Sequence, residues 1–482
     1  MENRSILSII KDNMTDKGLP DDFSLLSLIA SNDNNSSVRF ADGALDGMTM
    51  YHMGRSELTE EDAALIEKAF SLLDDTQGIT DTMKELFAKL RPISAIDYIQ
   101  QYVMQHTETL SANAVHSYAV QCLDSGDVSI VKLGLILTEL FVEKDENVKD
   151  MIRTLGLSDE FTIFCVFNML NWENGNDEIF RLAQKVHGWG RIHAVERLDP
   201  VNSEIKEWLL REGIDNWVMS GYSAPDVYEK ADIRQLLAGH MTDEQTDEIA
   251  AVLGPMFAEG PVRGISGLDD DEAKEIVDNF ISQAEKHKGS LEVYRLIHTI
   301  ADDKRFKHEK KRCEAILESP ICREFIERAL DEGDGTDLAK ALKIPYKEKI
   351  FAHLKRDFEK GYNNASLLID DDGYRDEVIE IFRRNLPLDD MKSEDYNRLF
   401  SLTNAVTAYP LCGEDLLAVM LDSPTSFHRI NTLNIIAEWC GKKRTSLKDI
   451  SDLLYNTVTN MKNTETDEEV KKKIAKFDFM NY

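Results

Sequence analysis

The segment ENVKDMIRTLG (146–156) recurs, with changes, as EIFRLAQKVHG (178–188) and SEIKEWLLREG (203–213). Each copy has the apolar spacing of an amphipathic helix and closes on a glycine, the residue that most readily takes the left-handed conformation common at helix ends. The closing glycines are 32 and 25 residues apart, about one helical hairpin each. Because stacked hairpins form solenoids, the pattern predicts an all-α fold, a curved α-solenoid.

The composition favours a long run of helices. The chain has 482 residues, of which only 11 are proline and 25 are glycine. Since both residues break helices, their scarcity indicates helical stretches joined by short turns. The length exceeds that of one ordinary core, which indicates several domains or one repeat array.

Residues 1–55 differ from the rest and predict a small N-terminal cap. NDNNSS (32–37) reads as a polar loop, and VRFADGALDGMTMYHMG (38–54) carries two Asp-Gly pairs among apolar residues. Because Asp-Gly is a common turn of β-hairpins, residues 38–54 are predicted to form a short hairpin or an extended segment. A cap of this kind would cover the apolar end of the first repeats.

Two helical-repeat segments are predicted beyond the cap, at residues 56–252 and 273–482. Between them lies LGPMFAEGPVRGISGLDDDE (253–272), which has several glycines, two prolines and an acidic run. Such a stretch is typical of a long surface loop or of a hinge between two solenoid halves. Tryptophans at 172, 208 and 217 are predicted to fill gaps between repeats.

The net charge bears on which partners fit. There are 88 acidic and 56 basic residues, which gives a net charge of −32. A field of this sign repels nucleic acid and anionic membrane, because binding either requires lysine and arginine to displace counterions. The charge is interpreted as a source of solubility. The alternative is an acidic face for a basic partner, as in an acidic inhibitor that mimics DNA.

Cysteine usage and hydropathy predict a cytoplasmic protein. No pair of the six cysteines has CxxC spacing, and Cys122, Cys165 and Cys440 lie among apolar neighbours, which suits a reducing compartment. The N-terminus, MENRSILSIIKDNMTDKG (1–18), lacks the apolar core of a signal peptide. The richest apolar run, IVKLGLILTELFV (130–142), is short and carries two charged residues, so no membrane span is predicted.

The stretch GWGRIHAVERL (188–198) and the histidine before it gather side chains suited to ligand or partner binding. A helix starting near Trp189 would place its basic, imidazole and carboxylate groups on adjoining turns. Arginine is a fork-shaped donor and tryptophan a common interface anchor. The alternative is a helix that packs its apolar residues inward. The candidate ligand- or partner-binding residues are His187, Trp189, Arg191, His193, Glu196 and Arg197.

Two resemblances fall on this stretch. The spacing of Arg191, Ala194 and Leu198 resembles the inner helix of HEAT-type repeats, which implies HEAT-like hairpins. AQKVHGWGRIHAVERLDP (183–200), with FADGALDGMTMYHMG (40–54), resembles bacterial proteins that carry the name limonene hydroxylase. That resemblance covers parts of the N-terminal half and implies a monooxygenase acting on a terpene.

The residues themselves predict no cofactor and no metal. Oxygen activation needs a haem, flavin or metal with defined ligands, and the chain has no GxGxxG after a strand. IDDDGYRDE (369–377) is similar to a calcium loop but places Leu368 and Ile379 where acids are required. The motifs HExxH, GxxxxGK[ST] and GxSxG do not occur, and no catalytic residue is predicted.

The leading hypothesis is a cytoplasmic binding or scaffold protein that holds a protein or peptide partner on the concave face of the solenoid. The first alternative is an enzyme, either the hydroxylase implied by resemblance or another activity around residues 187–197. The second is an acidic protein that binds a basic protein and blocks it.

The charge gives a direct prediction about nucleic acids. With a net charge of −32, the full chain should show no measurable affinity for labelled duplex DNA or single-stranded RNA at about 150 mM salt. Fluorescence anisotropy provides the measurement. Sub-micromolar binding under these conditions would refute the prediction.

Overall fold

The computed structural model describes residues 4–29 and 40–477. It is all-helical, with 69% of residues in helices, so the all-α prediction is confirmed. The described ranges contain thirty α-helices and no strand, and an isolated bridge pairs Thr15 with Gly18. None of the helices in the described part combines the length and the hydropathy that spanning a bilayer would require.

The chain divides by packing into two compact units. The first comprises the described residues of Met1–His287 with Thr299–Lys310, and the second those of Lys288–His298 with Lys311–Tyr482. The predicted loop or hinge at 253–272 lies inside the first unit, between the last turn of one helix and the start of the next. A hinge role for this segment stays a prediction.

The first unit begins with α1 (Ile6–Asn13), α2 (Leu25–Ile29) and α3 (Ala44–Met48), with a π-helical turn at Thr49–Met53 after α3. The middle of the unit contains α4 (Glu60–Ser71), α5 (Thr76–Phe87), α6 (Pro92–Gln105), α7 (Ala112–Leu123), α8 (Val128–Thr138), α9 (Glu146–Gly156) and α10 (Thr162–Leu170). The remaining helices are α11 (Gly175–Ala183), α12 (Gly188–Arg197), α13 (Ser203–Glu212), α14 (Ala224–Lys230), α15 (Ile233–Leu237), α16 (Asp243–Phe257) and α17 (Asp270–Ala284).

Further on, α18 (Leu291–Asp302) has residues in both units. The second unit continues with α19 (Lys310–Leu317), α20 (Pro320–Asp331), α21 (Thr336–Ala341), α22 (Lys347–Arg356), α23 (Phe358–Gly361) and α24 (Arg375–Asn385). It ends with α25 (Ser393–Val406), α26 (Glu414–Met420), α27 (Ser426–Lys443), α28 (Leu447–Ile450), α29 (Asp452–Thr464) and α30 (Glu468–Phe477). Short 3₁₀ turns lie at Ser220–Tyr222, Ile265–Gly267, Lys304–Phe306 and Tyr362–Leu367.

Within each unit, helices pack mainly on helices one or two places away in the chain. In the first unit α4 packs on α5, α7 on α8, and α10 on α9, α11 and α12. In the second, α20 packs on α21 and α22, and α26 on α25 and α27. Packing between near neighbours of this kind is what helical hairpins in sequence produce. Exceptions include α26, which also packs on α29, α27, which packs on α30, and α1, which packs on α9.

The predicted β-hairpin at 38–54 is wrong for the residues that the structure describes. Residues 44–53 form α3 and the π-helical turn instead. Gly43 has φ of 72° and precedes the helix, while Gly47 lies inside it against the Trp189 indole, where a Cβ would collide with the ring. These tertiary contacts override the local turn preference of the two Asp-Gly pairs. The predicted polar loop at 32–37 lies outside the described residues.

The three glycines of the repeated segments do not share the predicted left-handed conformation. Gly213 has φ of −62°, and Gly156 is the last residue of α9. Both glycines allow a neighbouring side chain to pack closely. A Cβ added at Gly156 would lie 3.2 Å from Cys165 Cβ, and a Cβ added at Gly213 would lie 2.7 Å from Val227 Cγ2. Gly188 does have positive φ, 28°, but it begins α12 and does not end α11.

A buried ammonium group ties the N-terminal segment to the interior of the first unit. Every residue of α8 from Ile130 to Thr138 is buried, including Lys132, which is only 5% exposed. Lys132 Nζ donates to Asp46 Oδ2 at 2.6 Å and to Glu160. Burial alone would lower the pKa of Lys132, but the two carboxylates raise it, so the group stays charged. Glu160 also accepts from the Gly43 N–H at 2.8 Å.

Removing this ammonium should destabilise the first unit strongly. Lys132→Met leaves two carboxylates buried without their cation, which should lower the free energy of unfolding by about 3 kcal/mol or more. The measurement is urea unfolding followed by circular dichroism. The matched control is Lys206→Met, which removes a half-exposed pair with Asp232 and should change stability by less than about 1 kcal/mol. Equal stability of the two variants would contradict the role of Lys132.

Candidate functional site

The two stretches that carry the hydroxylase resemblance pack against each other. Trp189 of α12 is buried in one apolar cluster with Ala44, Ile192 and Tyr222. The ring of Tyr51, from the π-helical turn, lies 6.1 Å from the Trp189 ring and 5.1 Å from that of Tyr222. Residues 40–54 and 188–197 are therefore one packed region of the first unit.

Arg191 has a structural environment. It is 3% exposed, and its Nε donates to the Val186 carbonyl at 2.8 Å. Its guanidinium also donates to the Glu212 carbonyl at 3.3 Å and lies 5.5 Å from the Trp208 ring centre. These contacts join the start of α12 to the end of α13.

His193 is enclosed and uncharged. It is 1% exposed, and neither ring nitrogen has a hydrogen-bond partner among the described residues. The Tyr51 ring stacks on it at 6.0 Å, and Glu196 Oε2 lies 3.9 Å from Nδ1. Burial lowers the pKa of His193, so the imidazole is neutral at pH 7.

Glu196 and Arg197 form a partly exposed pair at the end of α12. Glu196 accepts from the Tyr51 hydroxyl at 2.9 Å and from Arg197 at 2.6 Å. Burial would raise the pKa of Glu196, but these donors and the nearby His193 bring it to about 2. Arg197 also lies over the Phe167 ring. The carboxylate therefore stays ionised and serves to join α12 to the N-terminal segment.

The structure thus divides the six predicted binding residues. Arg191 and His193 face the interior, and Glu196 and Arg197 pair with each other. His187 and Trp189 line a cavity at the start of α12. A ligand-binding role for the six as a set stays a prediction.

This cavity, called the Trp217 cavity below, has a volume of about 260 Å³. Its lining comes from five places in the first unit: residues 19–21 with 23–24, 41–42, 157–159, 185–189 and 217–218. Sequence-distant loops therefore converge on the N-terminal end of α12. The N–H groups and the dipole of a helix end make this a polar place in an otherwise apolar region.

An exposed tryptophan stands at the cavity. Trp217 is 55% exposed and has φ of 56°, which is uncommon for a bulky residue. Buried Asn216 holds this turn, because its side-chain oxygen accepts from the Val218 and Met219 N–H groups at 3.0 and 2.8 Å. The indole stacks on His187 with ring centres 4.0 Å apart and planes 4° apart. Val218 and Met219 are exposed beside it.

Trp217 was predicted to fill a gap between repeats, and that prediction is wrong. Its exposure depends on the positive φ and on the Asn216 turn, neither of which hydrophobic periodicity reports. The sequence does contain a usable signal, since Asn216 begins a turn of the Asx type just before three consecutive large apolar residues. Trp172, in contrast, is buried as predicted.

Asp159 is the most perturbed acid of the cavity. Its carboxyl group lies at the backbone N–H groups of Trp189 and Gly190 at the start of α12, and these N–H groups lower its pKa. Burial raises the pKa of Asp159 most, and the charges of Asp42 and Glu160 add to the effect. The two N–H groups lower the pKa, but these raising effects are larger, and the resulting pKa is about 7. This acid can therefore gain or lose a proton near neutral pH.

Two further polar groups line the cavity close to Asp159. Asp42 accepts the Leu25 and Leu26 N–H groups at 2.7 and 3.1 Å, so its carboxylate is fixed at the start of α2. Ser158 is 2% exposed, and its hydroxyl has no hydrogen-bond partner among the described residues. A buried hydroxyl without a partner is uncommon in folded proteins, and here it belongs to a residue of the cavity lining.

The remaining chemistry is limited. Within the described ranges, no group of three or more histidine, cysteine, aspartate or glutamate side chains is arranged to hold a metal ion. All six cysteines are free thiols, and five are buried. Burial, followed by Arg191, lowers the pKa of His187, so its imidazole is neutral at pH 7. The Trp217 cavity has the features of a binding site: carboxylates, an unpaired hydroxyl and an exposed aromatic ring.

Comparison with protein-family models, with curated proteins and with solved structures gives no match for this chain. The interpretation of the site therefore depends on its geometry and chemistry.

The raised pKa of Asp159 predicts a pH dependence of stability. Between its ordinary value of 3.8 and about 7, the folded state holds a proton that the unfolded state has released. Stability is therefore lost as pH rises through this window. Asp159→Asn removes this titration, so only the parent should lose stability through it as the pH rises. The free energy of unfolding of the variant minus that of the parent should therefore increase by roughly 2 kcal/mol from pH 5 to pH 8.

The measurement is urea unfolding of both proteins at several pH values. Asp124→Asn, which changes an exposed acid, is the control and should track the parent. Parallel pH profiles of Asp159→Asn and the parent would show that Asp159 does not titrate in this range.

Proposed function

We propose that this chain is a binding protein, an α-solenoid of HEAT-like helical hairpins, whose first unit holds a protein or peptide partner at the Trp217 cavity. The packing of helices on near neighbours within each unit supports the repeat arrangement. The hydroxylase activity implied by resemblance stays a prediction.

The presentation of Trp217 carries the proposal. If the Trp217 indole had only a structural role, burying it in the interior would stabilise the fold, since burial of an aromatic side chain is strongly favourable. Instead the backbone adopts a positive φ, a conformation of higher energy, that leaves the ring outside. Asn216 fixes this geometry before any partner arrives. Tryptophan is among the residues that contribute most to protein interfaces, and fixing it in advance lowers the entropic cost of binding.

The surroundings match the anatomy of an interface. Val218 and Met219 extend the exposed apolar surface from the indole. The cavity beside them offers polar groups for orientation. An apolar anchor next to a small polar pocket is a common arrangement for recognition of a peptide segment.

The test compares partners recovered from the native cell by three forms of the full chain. Parent, Trp217→Ala and Phe427→Ala are used as bait, and bound proteins are quantified by mass spectrometry. Phe427 is a matched control because it is also an exposed aromatic residue, but in the second unit. We expect at least about tenfold loss of a specific partner with Trp217→Ala alone, the size of a hot-spot effect.

The melting temperature of each bait separates binding from folding. Because Trp217 is more than half exposed, its truncation should leave the melting temperature nearly unchanged. Recovery of the same proteins in the same amounts by all three baits would refute partner binding at Trp217.

A further inference from the structure

We propose that the Trp217 cavity receives an arginine side chain of the partner, so that the partner is recognised as a basic peptide segment. This inference rests on the binding function proposed above and names the group that is bound. Three observations carry it: the charge of the lining, the unpaired hydroxyl of Ser158, and the flat exposed ring of Trp217.

The lining attracts cations. It contains three carboxyl groups, on Asp21, Asp42 and Asp159, and one ammonium group, on Lys185. His187 adds no positive charge, because burial keeps its imidazole neutral. The N-terminal end of α12 would favour an anion, but its Trp189 and Gly190 N–H groups already face the Asp159 carboxyl. A phosphate or carboxylate ligand would therefore meet like charges, whereas a cation would be attracted and would stabilise the ionised form of Asp159. The net charge of −32 also favours the approach of a basic segment.

The unpaired hydroxyl of Ser158 suits a hydrogen-bonding ligand. Ser158 is buried, lines the cavity and has no partner for its Oγ in the described part of the chain. A guanidinium group has five N–H donors and no acceptor. It therefore matches the acceptors of the lining, which are the carboxylates of Asp42 and Asp159 and the Ser158 hydroxyl in its accepting role. A neutral apolar side chain would leave the Ser158 hydroxyl unpaired and would give the carboxylates no countercharge.

The ring of Trp217 favours arginine over lysine. A guanidinium is planar, weakly hydrated and stacks on aromatic faces, whereas an ammonium is compact and strongly hydrated. One face of the indole is covered by His187, and more than half of the side chain is exposed. A cavity of about 260 Å³ lies below the range of drug-sized pockets and suits one side chain. The exposed side chains of Val218 and Met219 would contact the residues of the partner that flank this arginine.

The probes are blocked pentapeptides with alanine at every position except the centre, which is arginine, lysine, citrulline or glutamate. Citrulline has nearly the shape of arginine but no charge, so it isolates the electrostatic contribution. Since one anchored side chain gives affinities in about the millimolar range, binding is measured by calorimetry at up to about 10 mM peptide with the full-length chain.

The expected order is arginine first, lysine several-fold weaker, citrulline at least about tenfold weaker than arginine, and no binding of glutamate. Equal affinity for arginine and citrulline would overturn the proposal. Lysine that binds as tightly as arginine would overturn the assignment of arginine. Absence of binding by every peptide would also overturn it.

Variants place the binding in the cavity. Asp159→Asn and Ser158→Ala should each weaken the arginine peptide and reduce its preference over citrulline, while the control Asp124→Asn should bind like the parent. Unchanged affinity in both cavity variants, with melting temperatures near that of the parent, would place the site elsewhere. If recovery of a cellular partner depends on Trp217 but the peptides do not bind, the binding function stands and the arginine assignment fails.

Discussion

The buried charge on Lys132 joins distant parts of the first unit, because it pairs with Asp46 and Glu160. Its helix is buried on all sides from Ile130 to Thr138, so an ammonium at this position is tolerated only with nearby anions. Those anions come from two distant places in the chain, Asp46 and Glu160. Because Glu160 also receives the Gly43 N–H, the same interaction fixes the start of α3. The N-terminal segment is therefore held by charge as well as by apolar contact.

The shape and the polar groups of the Trp217 cavity depend on the ion pairs of Lys132. With α3 and the π-helical turn fixed, Tyr51 and Ala44 close over Trp189, and the start of α12 is held in place. Asp159 and Glu160 are adjacent in sequence but have different surroundings. Asp159 borders the cavity, whereas Glu160 forms an ion pair with Lys132. One short loop thus contributes a carboxylate to the structural core and another to the candidate binding site.

The sequence predicted what depends on local periodicity, and missed what depends on contacts between distant residues. Apolar spacing was sufficient for the all-helical class, since each helix shows its own buried face. The Asp-Gly pairs of residues 40–54 indicated a hairpin, because nothing local reports that Asp46 pairs with Lys132 or that the Trp189 ring occupies the space beside Gly47. The exposure of Trp217 likewise follows from backbone geometry. Of the cavity lining, only His187 and Trp189 were among the predicted site residues.

The separation in sequence between the contacts of the N-terminal segment has a consequence for how the chain folds during synthesis. Most helices can pack as soon as the next one or two have been made, because their partners are near in sequence. Tyr51 and Glu196, in contrast, are 145 residues apart, and Asp46 and Lys132 are 86 apart. At about 5–20 residues per second, the ribosome needs roughly 7–30 s to bridge the longer gap. During that interval Tyr51 and Asp46 lack these partners, so they wait far longer for their native contacts than residues whose partners lie in a neighbouring helix.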